Sequence, residues 1–99
     1  MFRDSYGEEQ IRSLVEEYEA LQERKDTAPG RLRILFQLAD LDRALERLPM
    51  KYWEVVLLHG LLGVPQRVAA QLLRVSQQAV SKRYRRGICD LYYLMNGGE

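Results

Sequence analysis

Apolar residues recur at helical spacing from about residue 8 to residue 95 of the chain. One apolar face predicts a helix over about 8–25, and its members are Ile11, Leu14, Val15, Tyr18 and Leu21. A broader stripe predicts a second helix over about 31–47. The stripe is made by Leu32, Leu35, Phe36, Leu38, Ala39, Leu41, Leu45 and Leu48.

Three further helical patterns follow, over about 50–59, 65–73 and 77–95. The third helix carries Trp53, Val56 and Leu57, and the fourth carries Val68, Ala69, Leu72 and Leu73. No segment of useful length alternates with a period of two, so no strand is expected. The pattern therefore predicts an all-α, five-helix domain. The broad stripe of the second helix is expected to pack across helices three to five, because a single neighbour would not cover it.

Prolines and glycines divide the chain. The segment 26–30 (Asp-Thr-Ala-Pro-Gly) is typical of a turn. It separates an N-terminal amphipathic helix and turn, residues 1–30, from a helical domain over 31–99. Residues 96–99 are expected to form a frayed tail.

The segment 65–88 predicts a helix-turn-helix within residues 65–95. Pro65 suits the first turn of a helix, where its missing N–H costs nothing. Ala69 and Ala70 allow a second helix to cross closely. A tight connection then leads to Ser76, whose hydroxyl can cap the N-terminus of the last helix. Two short helices joined in this way are typical of DNA-binding proteins.

A projection of the last helix at about 100° per residue separates two faces. Val80, Tyr84 and Leu91 lie on the face expected to pack on the core, and polar residues lie opposite. Arginine and lysine can pair with guanine and glutamine with adenine, while all three can contact phosphates. The residues expected to contact base edges are Gln77, Gln78, Ser81, Lys82 and Arg85. Those expected to contact DNA phosphates are Arg67, Arg74, Ser76, Arg83 and Arg86.

Composition removes several function classes. The 99 residues include 15 basic and 14 acidic side chains, but residues 1–49 carry a net charge of −3 and residues 50–99 a net charge of +4. One cysteine, Cys89, and one histidine, His59, argue against a disulfide framework and most metal or catalytic sites. His59 is expected to cap a helix C-terminus. No secretory signal or membrane-spanning run is visible. We therefore expect no enzyme activity, no cofactor, no metal and no membrane partner.

Residues 45–94 resemble region 4 of the sigma-70 family of bacterial transcription factors, including its extracytoplasmic-function branch. The resemblance lies in Leu48-Pro49, the apolar run at 53–59, Gly63-Val64-Pro65, the segment 69–76 and the basic helix at 77–88. Three positions depart from the family pattern. Arg74 replaces the turn glycine, so the turn is expected to be strained or differently shaped, while Ala69 replaces an isoleucine and Gly87 an alanine.

The resemblance implies a small, region 4-like regulator of the kind common among bacteriophage transcription factors, because residues 1–44 do not resemble the promoter-melting region. It implies double-stranded DNA as the partner and the cytoplasm of a bacterial or phage-infected cell as the location. Two alternatives remain open: a module that docks on RNA polymerase or a sigma factor, and the DNA-recognition subunit of a phage packaging machine. A homodimer through the apolar seam of the N-terminal helix is also expected.

Overall fold

The computed structural model describes residues 6–24 and 30–98, and within them every regular element is helical. The elements are α1 (Glu8–Glu16), α2 (Tyr18–Arg24), α3 (Arg31–Leu45), α4 (Met50–Val55), a π-helical segment that continues it (Val56–Leu61), α5 (Gln66–Leu73) and α6 (Gln77–Met95). The all-α prediction is confirmed. The turn predicted at 26–30 lies outside the described residues except for Gly30, which has a φ of 77°. None of the described helices is long and apolar enough to cross a membrane.

The single helix predicted over 8–25 is two helices that separate at Glu17. The backbone there leaves the helical region, with φ −109° and ψ 20°. The break has a packing reason, since α1 contacts mainly α6 and the π-helical segment, whereas α2 contacts α1 and α3. Turning at Glu17 lets each half meet its own neighbour. On α2, the Tyr18 hydroxyl donates a hydrogen bond of 2.9 Å to Asp42 of α3.

Helix α6 lies at the centre of the core. Its buried face contacts α1, α3, α4, α5 and the π-helical segment. Val80 and Leu91 are fully buried and Tyr84 is nearly so, as the projection predicted, and Ile88 is fully buried beside them. The apolar seam of α1 is buried in the same core through Ile11, Leu14 and Val15. That seam is therefore not free to form the dimer interface expected from the sequence.

Only one of two apolar faces of α3 packs on the domain. Leu38, Leu41 and Leu45 are buried, but Leu32 and Phe36 are 63% and 65% exposed. The prediction that the whole stripe covers the other helices is wrong. The reason lies in the helical period, because the two groups are separated by about 150° around the axis. A helix that buries one group against α6 must present the other away from it.

The two ends of the described chain are joined by side-chain hydrogen bonds. The Asn96 carboxamide accepts from the Tyr6 backbone N–H at 2.8 Å and donates to the Tyr6 carbonyl at 2.9 Å. It also donates to the Tyr92 carbonyl at 2.8 Å. The Tyr6 hydroxyl in turn donates to Asp40 on α3 at 2.7 Å. The expectation of a frayed tail is therefore wrong at Asn96, which holds Tyr6, two residues before α1, against the end of α6.

Two glycines allow close approach to the π-helical segment. A Cβ atom at Gly60 would overlap the side chain of Val15 on α1, and one at Gly87 would lie 2.6 Å from a methyl carbon of Val56. Val56 is fully buried, so that methyl cannot move aside easily. The π-helical segment ends in a turn that is wider than an α-helical one, because the Leu62 N–H donates to the Leu57 carbonyl five residues back at 2.9 Å. The glycine at position 87 thus follows from how α6 crosses this segment.

We expect Gly87→Ala to lower the free energy of unfolding by about 1–3 kcal/mol, because the new methyl overlaps Val56. In an ordinary helix interior the same change stabilises by about 1 kcal/mol, so the sign itself is diagnostic. Urea unfolding of Gly87→Ala, Val56→Ala and the double variant measures the effect. Strictly additive free energies would show that the two positions are not in contact.

Candidate nucleic-acid interface

Helices α5 and α6 form a helix-turn-helix whose connection spans residues 74–76. The Ser76 hydroxyl accepts a hydrogen bond of 3.0 Å from the Ala79 N–H, which confirms the predicted cap. Ala69 and Ala70 are buried, and α5 packs against α6. Pro65 is the N-cap residue of α5, because the helix begins at Gln66 and not at Pro65 as predicted.

The turn between the helices keeps a left-handed residue although it has no glycine. Arg74 adopts φ 60° and ψ 44°, and it is the only non-glycine residue with positive φ among those described. The Val75 N–H donates to the Ala70 carbonyl at 3.1 Å and closes the end of α5. The turn is thus strained, as expected. Its shape is that of an ordinary α-helix C-terminus in which the residue after the helix adopts the left-handed conformation.

The predicted DNA-contacting residues are almost all accessible. Gln78, Lys82 and Arg85 are exposed along one side of α6, and together they are called the recognition face. Beside it, Gln77 is exposed and Ser81 is half-buried. The predicted phosphate contacts comprise four exposed residues and one that is half-buried. The exposed residues are Arg67, Arg74, Ser76 and Arg86, and the half-buried one is Arg83.

Five cations of the helix-turn-helix carry no ion pair with any residue of the described ranges. They are Arg67, Arg74, Lys82, Arg83 and Arg85. Arg86, also on α6, pairs with Asp90, and Arg43 of α3 pairs with Asp40. The region therefore presents positive charge that no neighbouring carboxylate offsets, which is a feature of surfaces that bind phosphates.

Arg86 differs from the other cations because the protein already holds its guanidinium. Its Nε donates to Asp90 at 3.0 Å, which raises the pKa of Arg86. The guanidinium also lies 5.4 Å from the centre of the Tyr52 ring, and the Lys51 ammonium lies 5.3 Å from the same ring. The four-residue spacing of Arg86 and Asp90 could have predicted the ion pair. The roles of Tyr52 and Lys51 depend on how α4 crosses α6, so no sequence pattern pointed to them.

Tyr84 connects α6 to α1 from the buried side of the recognition helix. Its hydroxyl donates to Glu16 at 2.9 Å, and the Arg12 guanidinium lies 5.4 Å from its ring centre. His59 meets the ring edge-on at 4.8 Å, and its Nδ1 bonds to the Val64 carbonyl at 2.8 Å. This carbonyl lies in the loop three residues beyond the end of the π-helical segment, so the ring bonds to the loop and not to a helix-end carbonyl as the sequence predicted. Burial, followed by the bond to Glu16, raises the pKa of Tyr84 above its ordinary value.

A capped helix-turn-helix with an exposed basic helix and a buried opposite face defines the chain as a helix-turn-helix protein. A family model described as sigma-70, region 4 matches residues 38–88, just over half of the chain. The chain belongs to this family, whose fold is a DNA-binding helix-turn-helix. The resemblance drawn from the sequence is therefore confirmed. No curated protein and no solved structure matches the chain. The matched segment runs from the middle of α3 into α6.

No group of three histidine, cysteine, aspartate or glutamate side chains comes together within residues 6–24 and 30–98. Asp40 and Asp42 point apart, since Asp40 accepts from Tyr6 and Asp42 from Tyr18. Cys89 is exposed and free.

The left-handed conformation of Arg74 predicts that a change to glycine stabilises the folded protein. We expect Arg74→Gly to raise the free energy of unfolding by about 1 kcal/mol, because only glycine adopts φ 60° without steric cost. Arg74→Ala is the matched control, since it removes the same charge and keeps the strain. Equal unfolding free energies for the two variants, measured in urea, would contradict the explanation.

The raised pKa of Tyr84 predicts a loss of stability at high pH. The folded state holds this proton more tightly than the unfolded chain, whose tyrosine pKa is about 10. The contribution is complete below pH about 10 and disappears as the pH rises further. We expect the unfolding free energy of the wild type to fall more steeply between about pH 9 and 11 than that of Tyr84→Phe. Tyr93→Phe, at an exposed position, should follow the wild type.

Proposed function

We infer that the chain is a sequence-specific regulator of transcription that binds double-stranded DNA in the cytoplasm of a bacterial or phage-infected cell. The observation that carries this proposal is the recognition face itself. Its three side chains leave the helix that follows the Ser76 cap, opposite the buried face of Val80 and Tyr84, and its two cations have no carboxylate partner within the described ranges. The first turns of such a helix enter the major groove in helix-turn-helix proteins.

The side chains of this face suit contacts with base edges. Arg85 and Lys82 can donate to the guanine O6 and N7 acceptors, and the Gln78 carboxamide can pair with adenine. Gln77 and Ser81 lie beside them near the start of the helix. Contacts with phosphates would come from Arg67 on α5, Arg74 and Ser76 in the connection, and the flanks of α6 through Arg83 and Arg86. Such contacts fix the position of the protein on the duplex and carry no sequence information.

A competing function is docking on RNA polymerase or a sigma factor with little affinity for DNA. Selection of bound duplexes from a random pool separates the two. A regulator of the proposed kind returns a defined sequence, and its affinity falls steeply with salt because several phosphate contacts release counterions. Enrichment of no sequence, together with salt-independent or absent binding, would contradict the proposal and favour the docking function.

Substitutions should divide the contacts into two classes. We expect Arg85→Ala or Gln78→Ala to cost about 1–3 kcal/mol of binding and to relax the preference at one base pair. Arg67→Ala should weaken all sequences alike and reduce the salt slope by about one. Fluorescence anisotropy with the selected duplex and with a scrambled duplex measures both quantities.

Arg24→Ala is the control, because it removes an exposed cation from α2, outside the helix-turn-helix. It should leave affinity and sequence preference unchanged. Unchanged binding by the double variant Lys82→Ala/Arg85→Ala would show that the recognition helix is wrongly assigned.

A further inference from the structure

The N-terminal half of α3 carries an apolar face that the described part of the chain leaves largely uncovered. Leu32 and Phe36 are 63% and 65% exposed, and Leu35 is 39% exposed. With half-buried Ala39, they lie within about 50° of one line along the helix. These four residues are called the α3 apolar face. Large apolar side chains grouped in this way mark an interaction surface more often than single exposed ones do.

We propose that the α3 apolar face packs against the same face of a second copy of this chain, with the two helices antiparallel. The twofold axis passes between Phe36 and Gln37. This interface differs from the α1 seam, whose residues are buried inside the chain. The proposal goes beyond DNA binding and does not depend on it.

The charges that flank the face select an antiparallel copy as the partner. Arg31 and Arg33 lie at the N-terminal end of α3, and Asp40 and Asp42 lie near its C-terminal end. Arg31 and Asp42 follow one side of the face, about 100° and 80° from Leu32, while Arg33 and Asp40 follow the other. A surface with opposite charges at its two ends is complementary to itself when one copy is reversed.

The register follows from that axis, because residue n of one copy lies level with residue 73 − n of the other. Arg31 then lies level with Asp42 of the second copy, on the same side of the helix pair. A parallel arrangement would place like charges together, and a partner of a single charge sign would be repelled at one end. Arg43, which closes the face, lies level with Gly30 of the second copy, where no side chain obstructs it.

Of the two ion pairs expected across the interface, Arg31 with Asp42 is better suited to a test by substitution than Arg33 with Asp40. Asp40 already accepts hydrogen bonds from the Tyr6 hydroxyl and from Arg43. Asp42 is exposed, and within the described ranges its carboxylate accepts only from the Tyr18 hydroxyl at 2.9 Å, while Arg31 is exposed as well.

The interface lies away from the recognition face. The C-terminal half of α3 meets the far end of α6, where Arg43 and Ala44 line the same cavity as Leu94 and Met95. Leu94 is about 14 Å farther along α6 than Arg85. Pairing through the opposite face of α3 therefore leaves both recognition faces accessible.

The expected dimer is weak. One helix face against its copy buries less than the roughly 800 Å² per partner of a standard interface. We therefore expect a dissociation constant in the micromolar range, on the order of 10–100 µM. Sedimentation equilibrium of the full 99-residue chain without DNA, from about 5 to about 500 µM, covers that range.

Phe36→Glu should abolish the dimer while the far-ultraviolet circular dichroism stays that of the wild type. Met50→Glu is the matched control, because Met50 is 65% exposed on α4 and should leave the dimer unchanged. A wild-type chain that stays monomeric over the whole range overturns the proposal, and the face would then belong to a contact with another protein. Equal effects of the two variants would also overturn it. Neither outcome bears on DNA binding, which is measured separately.

Charge exchange tests the orientation. We expect Arg31→Glu and Asp42→Arg each to raise the dissociation constant of the dimer about tenfold. The double variant should return it to near the wild-type value, because the two exchanged charges again face each other across the interface with opposite signs. Asp42→Arg also removes the bond to Tyr18, and the double variant keeps that loss, so recovery isolates the pairing across the interface. Additive weakening in the double variant would overturn the antiparallel register.

Disulfide formation provides an independent test of the antiparallel arrangement. It is carried out in a Cys89→Ser background, because Cys89 is exposed and free. Phe36→Cys should cross-link two copies, since position 36 lies beside the axis. Leu32→Cys should not, because the two positions would be about 14 Å apart along the helices, too far for a disulfide. Equal cross-linking at both positions would contradict the antiparallel arrangement.

Discussion

Burial of one face of α6 is the interaction on which the rest of the domain depends. Val80, Ile88 and Leu91 are fully buried. Helices α1, α3, α4 and α5 and the π-helical segment all pack against α6, and α2 reaches the core through α1 and α3. Because one face of the helix is held by so many neighbours, the opposite face keeps a fixed orientation while its side chains Gln78, Lys82 and Arg85 stay exposed. Recognition of DNA by a rigid helix requires that arrangement, since ordering a mobile element on binding costs free energy and lowers the affinity.

The close packing of the π-helical segment against α1 and α6 explains the glycines at these contacts. Gly60 leaves room for Val15 of α1, and Gly87 of α6 leaves room for Val56. At position 87 the chain gives up the helix propensity of alanine, worth about 1 kcal/mol, for the approach of a fully buried valine. Tyr84, one turn earlier, uses its ring in the core and its hydroxyl on Glu16. The N-terminal helix is thus anchored to the back of the recognition helix by both packing and a hydrogen bond.

Charge is distributed according to the same geometry. The acidic first half of the chain contributes Glu16, Asp40 and Asp42, whose carboxylates accept from the hydroxyls of Tyr84, Tyr6 and Tyr18 and so fasten helices together. The cations of the second half lie on the surface, Lys51 on α4 and the other six on α5, the connection and α6. Among these seven, Arg86 is the one with an ion pair to a residue of the described ranges. The near-neutral total charge therefore conceals two surfaces with different roles. Net charge alone does not indicate that a protein of this kind binds a polyanion.

Features that depend on neighbours within a turn or two follow from the sequence, because local sterics and capping set them. The helical period located five helical regions and the buried face of α6, the Ser76 hydroxyl defined where that helix begins, and the strain expected at Arg74 agrees with its φ of 60°. Which of two apolar faces α3 buries was settled by tertiary packing, because both have the spacing of a helix and the choice depends on where α6 lies. The same holds for the break at Glu17 and for the bond between Tyr84 and Glu16, which are 68 positions apart. Contacts of this kind are set by how the helices cross, and the helical period carries no information about crossing.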